Sequence, residues 1–269
     1  LDGCDARWRY DGRRTVVTGC ASGIGAQLVR QLTELGAQVT GLDRRPPALV
    51  LNDFHEIDLA DPASIEDAVS ALEGPIDALF NVAGVSSGIG DPLLVVTVNF
   101  LGLRQLTEAL IPKMSAGSAI VSVSSLAAAQ YREHLQEVAP LLRTTTMQEG
   151  IDWCRRHPEA VGTGYQLSKE AIILYSMQMT TALGARGIRI NCTGPGVTET
   201  PILDQLRTAY GQGFLDDIPK PLGRVSDAAE QAAVLSFLNS DAAGYISGQV
   251  VWVDGGNLGA AIARELEEG

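Results

Sequence analysis

The chain has 269 residues, 45% of them hydrophobic, with a formal net charge of -12 and a pI near 4.7. That length suits one sizeable α/β core, and the acidity argues against nucleic-acid binding and against adhesion to anionic lipid. The longest largely apolar candidate, 93–98, stops at Asn99, well short of the ~18 residues of a membrane span, and LDGCDARWRYDGRR lacks the apolar core of a secretory signal. A single soluble, cytoplasmic domain over 1–269 is expected. Cys4, Cys20, Cys154 and Cys192 are scattered and form no C-x-x-C, which fits reduced thiols. Cys154 and His157 can share a helix face, but two such side chains do not make a zinc site, so no metal is expected.

In chain order, a β-branched run at 15–18 leads into TGCASGIG (18–25) and a helical pattern over 26–35. Glycine costs entropy on folding, yet Gly19, Gly23 and Gly25 crowd the handover from strand to helix. Bare backbone there lets a pyrophosphate approach, and the amides and dipole of the helix N-terminus favour the anion. The spacing is G-x-x-x-G-x-G rather than the G-x-G-x-x-G dinucleotide fingerprint. The strand 38–42 follows and ends at Asp43, 18 residues past Gly25. A carboxylate there accepts hydrogen bonds from both adenosine ribose hydroxyls and repels a 2′-phosphate, which predicts NAD over NADP. Arg44 and Arg45 pull the other way, since an arginine beside the ribose can pair with a 2′-phosphate.

Helix 62–72, strand 78–82, helix 99–111 and strand 119–123 come next. An irregular stretch over 126–164, helix 168–183 and strand 188–192 follow, then a second irregular stretch over 196–223, helix 227–238 and strand 250–253. Nearly continuous apolar strands alternating with amphipathic helices predict βαβ units and a parallel sheet covered on both faces. The two irregular stretches are candidate lids or substrate loops, because long insertions in a compact domain usually have a use. Tyr165 opens YQLSK, so Lys169 lies one helical turn on and on the same face. A nearby ammonium and an oxidised nicotinamide would depress the phenol from its ordinary value of about 10, and the phenolate would take a proton from an alcohol.

With that pair in place the chain resembles the short-chain dehydrogenase/reductase family over nearly all of 14–256. The motifs run in order: TGCASGIG, Asp58-Leu59, NVAG (81–84, with Val82 replacing the usual second Asn), Asn99, Ser125 closing IVSVSS, Tyr165 with Lys169, Pro195-Gly196, and DGG at 254–256. The resemblance implies a Rossmann-like, doubly wound α/β fold with a parallel sheet of about seven strands. It implies NAD held by Gly19, Ser22, Gly23, Ile24, Gly25, Asp43, Arg44, Asp58, Leu59, Asn81, Ala83, Gly84, Tyr165, Lys169, Pro195, Gly196, Thr198 and Thr200. Ser125 would stabilise the substrate oxygen and Tyr165 would be the acid/base. Lys169 would bind the nicotinamide ribose and lower the Tyr165 pKa, and Asn99 would complete a water path to solvent. Homodimers or homotetramers are the family's habit.

The chain departs from the family in spacing. Tyr165 lies 40 positions after Ser125, where about a dozen is usual. The extra segment predicts two short helices, one with a stripe of Tyr131, Leu135, Val138 and Leu142 that Pro140 should interrupt or kink. The other would turn Met147, Ile151 and Cys154 inward. The insertion would roof the substrate pocket, alter the helix surface through which family members usually dimerise, or simply pack on the body. It narrows the likeness to the subgroup of bacterial coniferyl-alcohol dehydrogenases and 3α-hydroxysteroid dehydrogenase/carbonyl reductases. Ile202, Leu203, Leu206, Tyr210 and Phe214, with Trp153, suggest a small apolar or aromatic alcohol or carbonyl substrate. An enoyl reductase fits less well, since that group spaces Tyr and Lys more widely. A regulator that binds dinucleotide without chemistry is disfavoured by the presence of Ser125, Tyr165 and Lys169 together.

Overall fold

The apolar runs form strands whose alternate side chains enter two separate cores. In a computed structural model describing residues 5–268, β1 (Arg14–Thr18) turns Val16 to one face and Val17 to the other, and both are buried. Cys4 lies outside the described residues; Cys20, Cys154 and Cys192 are free and buried. The remaining strands are β2 (Gln38–Asp43), β3 (Asp53–Glu56), β4 (Ile76–Asn81), β5 (Met114–Val123), β6 (Arg189–Pro195) and β7 (Val250–Val253). All neighbours pair in parallel, in the order β3-β2-β1-β4-β5-β6-β7. The order reverses between β1 and β4, so the crevice at the C-terminal ends of these two strands is the switch point where such sheets hold ligands.

One face carries α1 (Gly23–Glu34), whose Leu28, Val29 and Leu32 pack with Val17, Phe80 and Val121. The other carries α2 (Pro62–Ala71) and a long central helix built of three parts: α3 (Pro92–Val96), a π-helical segment (Thr97–Gly102) and α4 (Leu103–Leu110). Asp91 starts that helix by accepting the Leu94 N–H at 3.0 Å, with Pro92 in the first turn. The helix predicted over 99–111 begins earlier, at Pro92. The helix runs on as a π turn, and the 22-residue stretch Pro92–Lys113 is long and apolar enough to cross a membrane by composition. Most of it is buried in this domain, which accounts for its apolar character.

The insertion folds into α5 (Leu135–Leu142), α6 (Met147–Arg156) and α7 (Pro158–Val161). Pro140 does not stop α5, because the carbonyl it leaves unpaired, that of Gln136, is on an exposed residue that water can serve. Val138 and Leu141 are buried but Leu135 is exposed, so the predicted stripe is rotated by part of a turn. In α6, Met147 and Cys154 are buried as expected. Gly150 allows α6 to lie directly on Leu101 of the π segment. Arg104, buried on α4, anchors the connection between α5 and α6 by donating to the Thr144 carbonyl at 2.7 Å and the Thr144 hydroxyl at 3.1 Å.

The long helix α8 (Tyr165–Gly184) follows, then α9 (Pro201–Tyr210) and α10 (Gln212–Asp216) in the second irregular stretch. Next come α11 (Ala228–Asn239), which packs on α1, and α12 (Asn257–Glu268).

Candidate active site

The glycine loop closes over the switch point. Gly19 has φ +72°, and a Cβ on it would lie 2.8 Å from the Ala83 backbone, so the turn and the neighbouring NVAG segment meet backbone to backbone. Gly25 faces the Gly19 carbonyl with no room for a side chain. Ser22 precedes α1 in extended geometry without capping it by side chain, so its hydroxyl is uncommitted at the helix N-terminus, with Gly23 and Ile24 in the first turn. That uncapped end suits a phosphate. Asp43 ends β2 and accepts the Ala21 N–H at 3.0 Å and the Arg45 N–H at 3.2 Å, which fixes its carboxylate beside the loop. The Arg44 side chain is exposed. Bare backbone, free helix amides and an oriented carboxylate thus lie side by side at the switch point, an arrangement that suits a dinucleotide.

Thr18 and Asn99 hold the opposite wall. The Thr18 hydroxyl accepts the N–H groups of Val82 and Ala83 at 2.9 and 3.0 Å. Asn99 is fully buried in the π turn; it accepts the Val85 N–H at 2.8 Å and donates to the Val85 carbonyl at 3.0 Å. A second contact reaches the Ser168 hydroxyl at 3.3 Å, linking the central helix to α8. Asn81 faces elsewhere. Buried, it donates to the Thr107 and Ser122 hydroxyls at 2.9 and 3.2 Å and ties β4 to β5 and α4. Asp58 accepts the Ala60 N–H at 2.8 Å, and Gly102 lets the central helix lie on the Leu59 carbonyl.

Ser125, Tyr165 and Lys169 come together, although the first two are 40 positions apart in the chain. Ser125 follows β5, and Tyr165 opens α8 after Gly164. Burial raises the Tyr165 phenol above its ordinary value, and the nearby Ser125 hydroxyl, which pulls it down, does not outweigh that. The depressed phenol expected from the sequence is thus not a property of this chain alone. Lys169 Nζ lies 5.7 Å from the Tyr165 ring centroid and donates to the Val123 carbonyl at 3.0 Å. Its burial brings the ammonium down to about 8. Ser124, beside Ser125, donates to the Lys169 carbonyl at 2.7 Å. A Cβ on Gly84 would stand 3.1 Å from Asn99 Oδ1 and 3.5 Å from Lys169 Nζ, so the NVAG segment passes directly over both.

Pro195 ends β6, and the Gly196 N–H bonds to the Val253 carbonyl at 3.0 Å. Thr198 donates to the Gly196 carbonyl at 3.0 Å and Thr200 to the Thr198 carbonyl at 3.3 Å. Thr200 would meet a Cβ on Gly23 at 3.4 Å, which puts the start of the second irregular stretch against the glycine loop. There α9 rests on the 86–90 segment. Ser86, fully buried, donates to Gln205 Oε1 at 2.9 Å, and a Cβ on Gly88 would be 2.9 Å from the Gln205 carbonyl. Tyr210 and Phe214 are exposed with ring centroids 5.2 Å apart. Trp153 does not join them; it is buried in the insertion and stacks on His157 at 4.7 Å. Thr18, Ser124 and Ser168 support the site through hydroxyls that no spacing rule singles out. Only the identity of Thr18 as the first letter of the glycine motif hinted at a role.

A family model described as short chain dehydrogenase matches residues 13–137, and one described as Enoyl-(Acyl carrier protein) reductase matches 156–257. The unmatched 138–155 is the middle of the insertion. The chain is 40% identical to a coniferyl-alcohol dehydrogenase of Pseudomonas sp. (strain HR199 / DSM 7063), covering 91% of this chain and 96% of the relative. It is 32% identical to a 3-alpha-hydroxysteroid dehydrogenase/carbonyl reductase of Comamonas testosteroni, covering 90% and 95%. The crystal structure of the 3-alpha-hydroxysteroid dehydrogenase from Pseudomonas sp. B-0831, complexed with NADH, superposes with a TM-score of 0.80 at 30% identity, covering 94% of this chain and 99% of that one.

Proposed function

Because the chain belongs to the short-chain dehydrogenase/reductase family, oxidoreductases acting on CH–OH groups, we propose that it interconverts an apolar or aromatic alcohol and its aldehyde or ketone with NAD. The observation that carries this reading is the meeting of Ser125, Tyr165 and Lys169 beside the switch-point crevice. When bound, the nicotinamide supplies the hydride acceptor in oxidation and the donor in reduction. Ser125 holds the substrate oxygen and stabilises the charge that develops on it. Tyr165 takes the hydroxyl proton in oxidation and returns it in reduction. Lys169, a cation below about 8, favours the phenolate and holds the ribose. Asn99, through its grip on Val85, shapes the crevice wall and takes part in the water path.

Gly19, Ser22, Gly23, Ile24 and Gly25 cradle the pyrophosphate. Asp58, Leu59, Ala83 and Gly84 line the adenosine side with the backbone end of Asn81, and Pro195, Gly196, Thr198 and Thr200 support the nicotinamide side. Asp43 selects NAD by accepting the ribose hydroxyls, with Arg44 at the rim. The likeness to coniferyl-alcohol dehydrogenase and the exposed Tyr210–Phe214 pair in the second irregular stretch support an aromatic alcohol. A hydroxysteroid is the second reading, favoured by the 0.80 superposition. The enzyme acts as a cytoplasmic homodimer or homotetramer, which light scattering resolves.

The test is NADH formation with NAD and a panel of aromatic primary alcohols, apolar secondary alcohols and hydroxysteroids, repeated with NADP. Turnover of aromatic alcohols is expected, and turnover of hydroxysteroids alone would select the second reading. Tyr165→Phe should cost at least about 100-fold in kcat while NADH binding, followed by fluorescence, holds. Turnover that survives in this variant refutes the proton-transfer role. Asp43→Ala should weaken NAD far more than NADP; equal loss refutes the ribose assignment.

A further inference from the structure

Glu170 sits on the catalytic helix directly after Lys169 and is 2% exposed, yet the proposed chemistry has no use for it. Two side chains meet its carboxylate: His134 Nδ1 at 2.7 Å and Gln166 Nε2 at 3.0 Å. A carboxylate only accepts hydrogen bonds, so Nδ1 must carry the proton, and the Gln166 amide, 3.3 Å from that same nitrogen, is left to serve Glu170. His134 belongs to the insertion, at the residue preceding α5. Gln166 and Glu170 form an i, i+4 row that stands one residue around the helix from the Tyr165–Lys169 row. The insertion therefore grips, from the side, the same turn whose other face carries the reacting groups.

We propose that the His134–Glu170 pair positions the catalytic turn: the insertion holds Tyr165 and Lys169 in their productive orientation through it, and protonation of His134 tightens the hold. A hydrogen bond between two ions is stronger than one between an ion and a neutral ring, and this one is shielded on the Glu170 side. The charged groups facing His134 are Glu170 on α8, Glu137 on α5 and Glu133 in the turn before it; all are acidic, and Gln166 is neutral. The His134 pKa is accordingly raised, chiefly by the bond to Glu170. The extra stability is complete below the ordinary histidine value of about 6.5 and is lost as pH rises through the raised value.

The inference rests on the dehydrogenase reading for its kinetic part, so the test carries a second readout that does not. Wild type, His134→Gln and His134→Leu are compared for alcohol oxidation across pH 5.5–9 and for amide exchange over 165–170. Gln can donate to Glu170 but cannot titrate, and Leu can do neither. His134→Leu should lower kcat about tenfold, since small misplacements of reacting groups are costly, with KM for NAD within about twofold. His134→Gln should recover most of that loss and abolish one limb of the wild-type kcat profile, the limb lying above pH 6.5. Wild-type exchange over 165–170, corrected for intrinsic rates, should quicken from pH 6 to pH 8, and the Gln variant's should not.

A Gln variant that keeps the wild-type profile and the wild-type exchange response overturns the proposal. So does a Leu variant that melts earlier but turns over at the wild-type kcat. Should wild type oxidise no alcohol at all, the functional reading fails while the exchange comparison still decides the clasp.

Discussion

The two helical additions to the sheet frame, 126–164 and 196–223, look alike as sequence and behave differently as structure. Both are irregular, and both mix apolar residues with turns. The insertion buries Val138, Leu141, Met147, Trp153 and Cys154, and Arg104 fastens it to the central helix. The second stretch buries Leu203 and Leu215 but leaves Tyr210, Phe214 and Leu222 exposed. Apart from the buried Ser86 hydroxyl that donates to Gln205, its side-chain ties are largely surface ones within the stretch itself, such as Arg207 with Glu199 and Asp204, of the kind that contributes little to stability. One addition is part of the scaffold, and the other touches the frame at a few points, against the glycine loop and the 86–90 segment. Apolar composition alone does not separate the two roles; what separates them is whether the body offers a complementary surface.

The sharpest way to break this contrast is a pair of truncations. Leu141→Ala removes a fully buried side chain and should destabilise the protein by about 2–5 kcal/mol. Phe214→Ala, on a residue 46% exposed, should stay within about 0.5 kcal/mol while changing KM for the alcohol. Urea melts and steady-state kinetics read both, and equal destabilisation would erase the distinction. Arg104→Met comes next. It leaves the Thr144 carbonyl without its partner and should cost about 1–3 kcal/mol, measured by the same melts.

A smaller and more selective effect is expected at Gly88. Gly88→Val drives a side chain against the Gln205 carbonyl, so α9 must lift. KM for the alcohol should rise several-fold with little change in thermal midpoint, as kinetics and calorimetry would read. The smallest expected difference is in pH response. Raising pH from 6 to 8 should speed amide exchange in α5, beyond the intrinsic change, as His134 loses its charge. It should leave α9 unaltered, because Glu199 there is held below its ordinary value by Arg207 and titrates only in acid.

Much of the frame is readable from the sequence. Six strands are legible because parallel strands covered on both faces are near-continuous apolar runs. The strand β3, DFHE, is not: it lies at the sheet edge with a single neighbour, and its polar residues carry no pattern. The site is legible where the chemistry demands a residue type, as at Gly19, Asp43, Tyr165 and Lys169. It is illegible where any hydroxyl or amide at the right place would serve, as at Thr18, Ser124 and Ser168. The π turn at Asn99 escapes too, since an apolar helix and a locally widened one share the same residues. The pairing of His134 with Glu170 joins positions 36 apart and has no local mark.

The reciprocal bonds between β5 and α8, from Ser124 to the Lys169 carbonyl and from Lys169 to the Val123 carbonyl, bear on how such a chain can change over generations. They brace the candidate site at its own two walls, independently of the path the backbone takes between them. Lengthening that path about threefold adds only about 1 kcal/mol of closure entropy. The stretch between the walls can then be lengthened, shortened or exchanged while the chemistry beneath it stays intact. A new insertion has only to recover that small cost by packing, and it arrives already tethered to the groups whose reactivity it can come to govern.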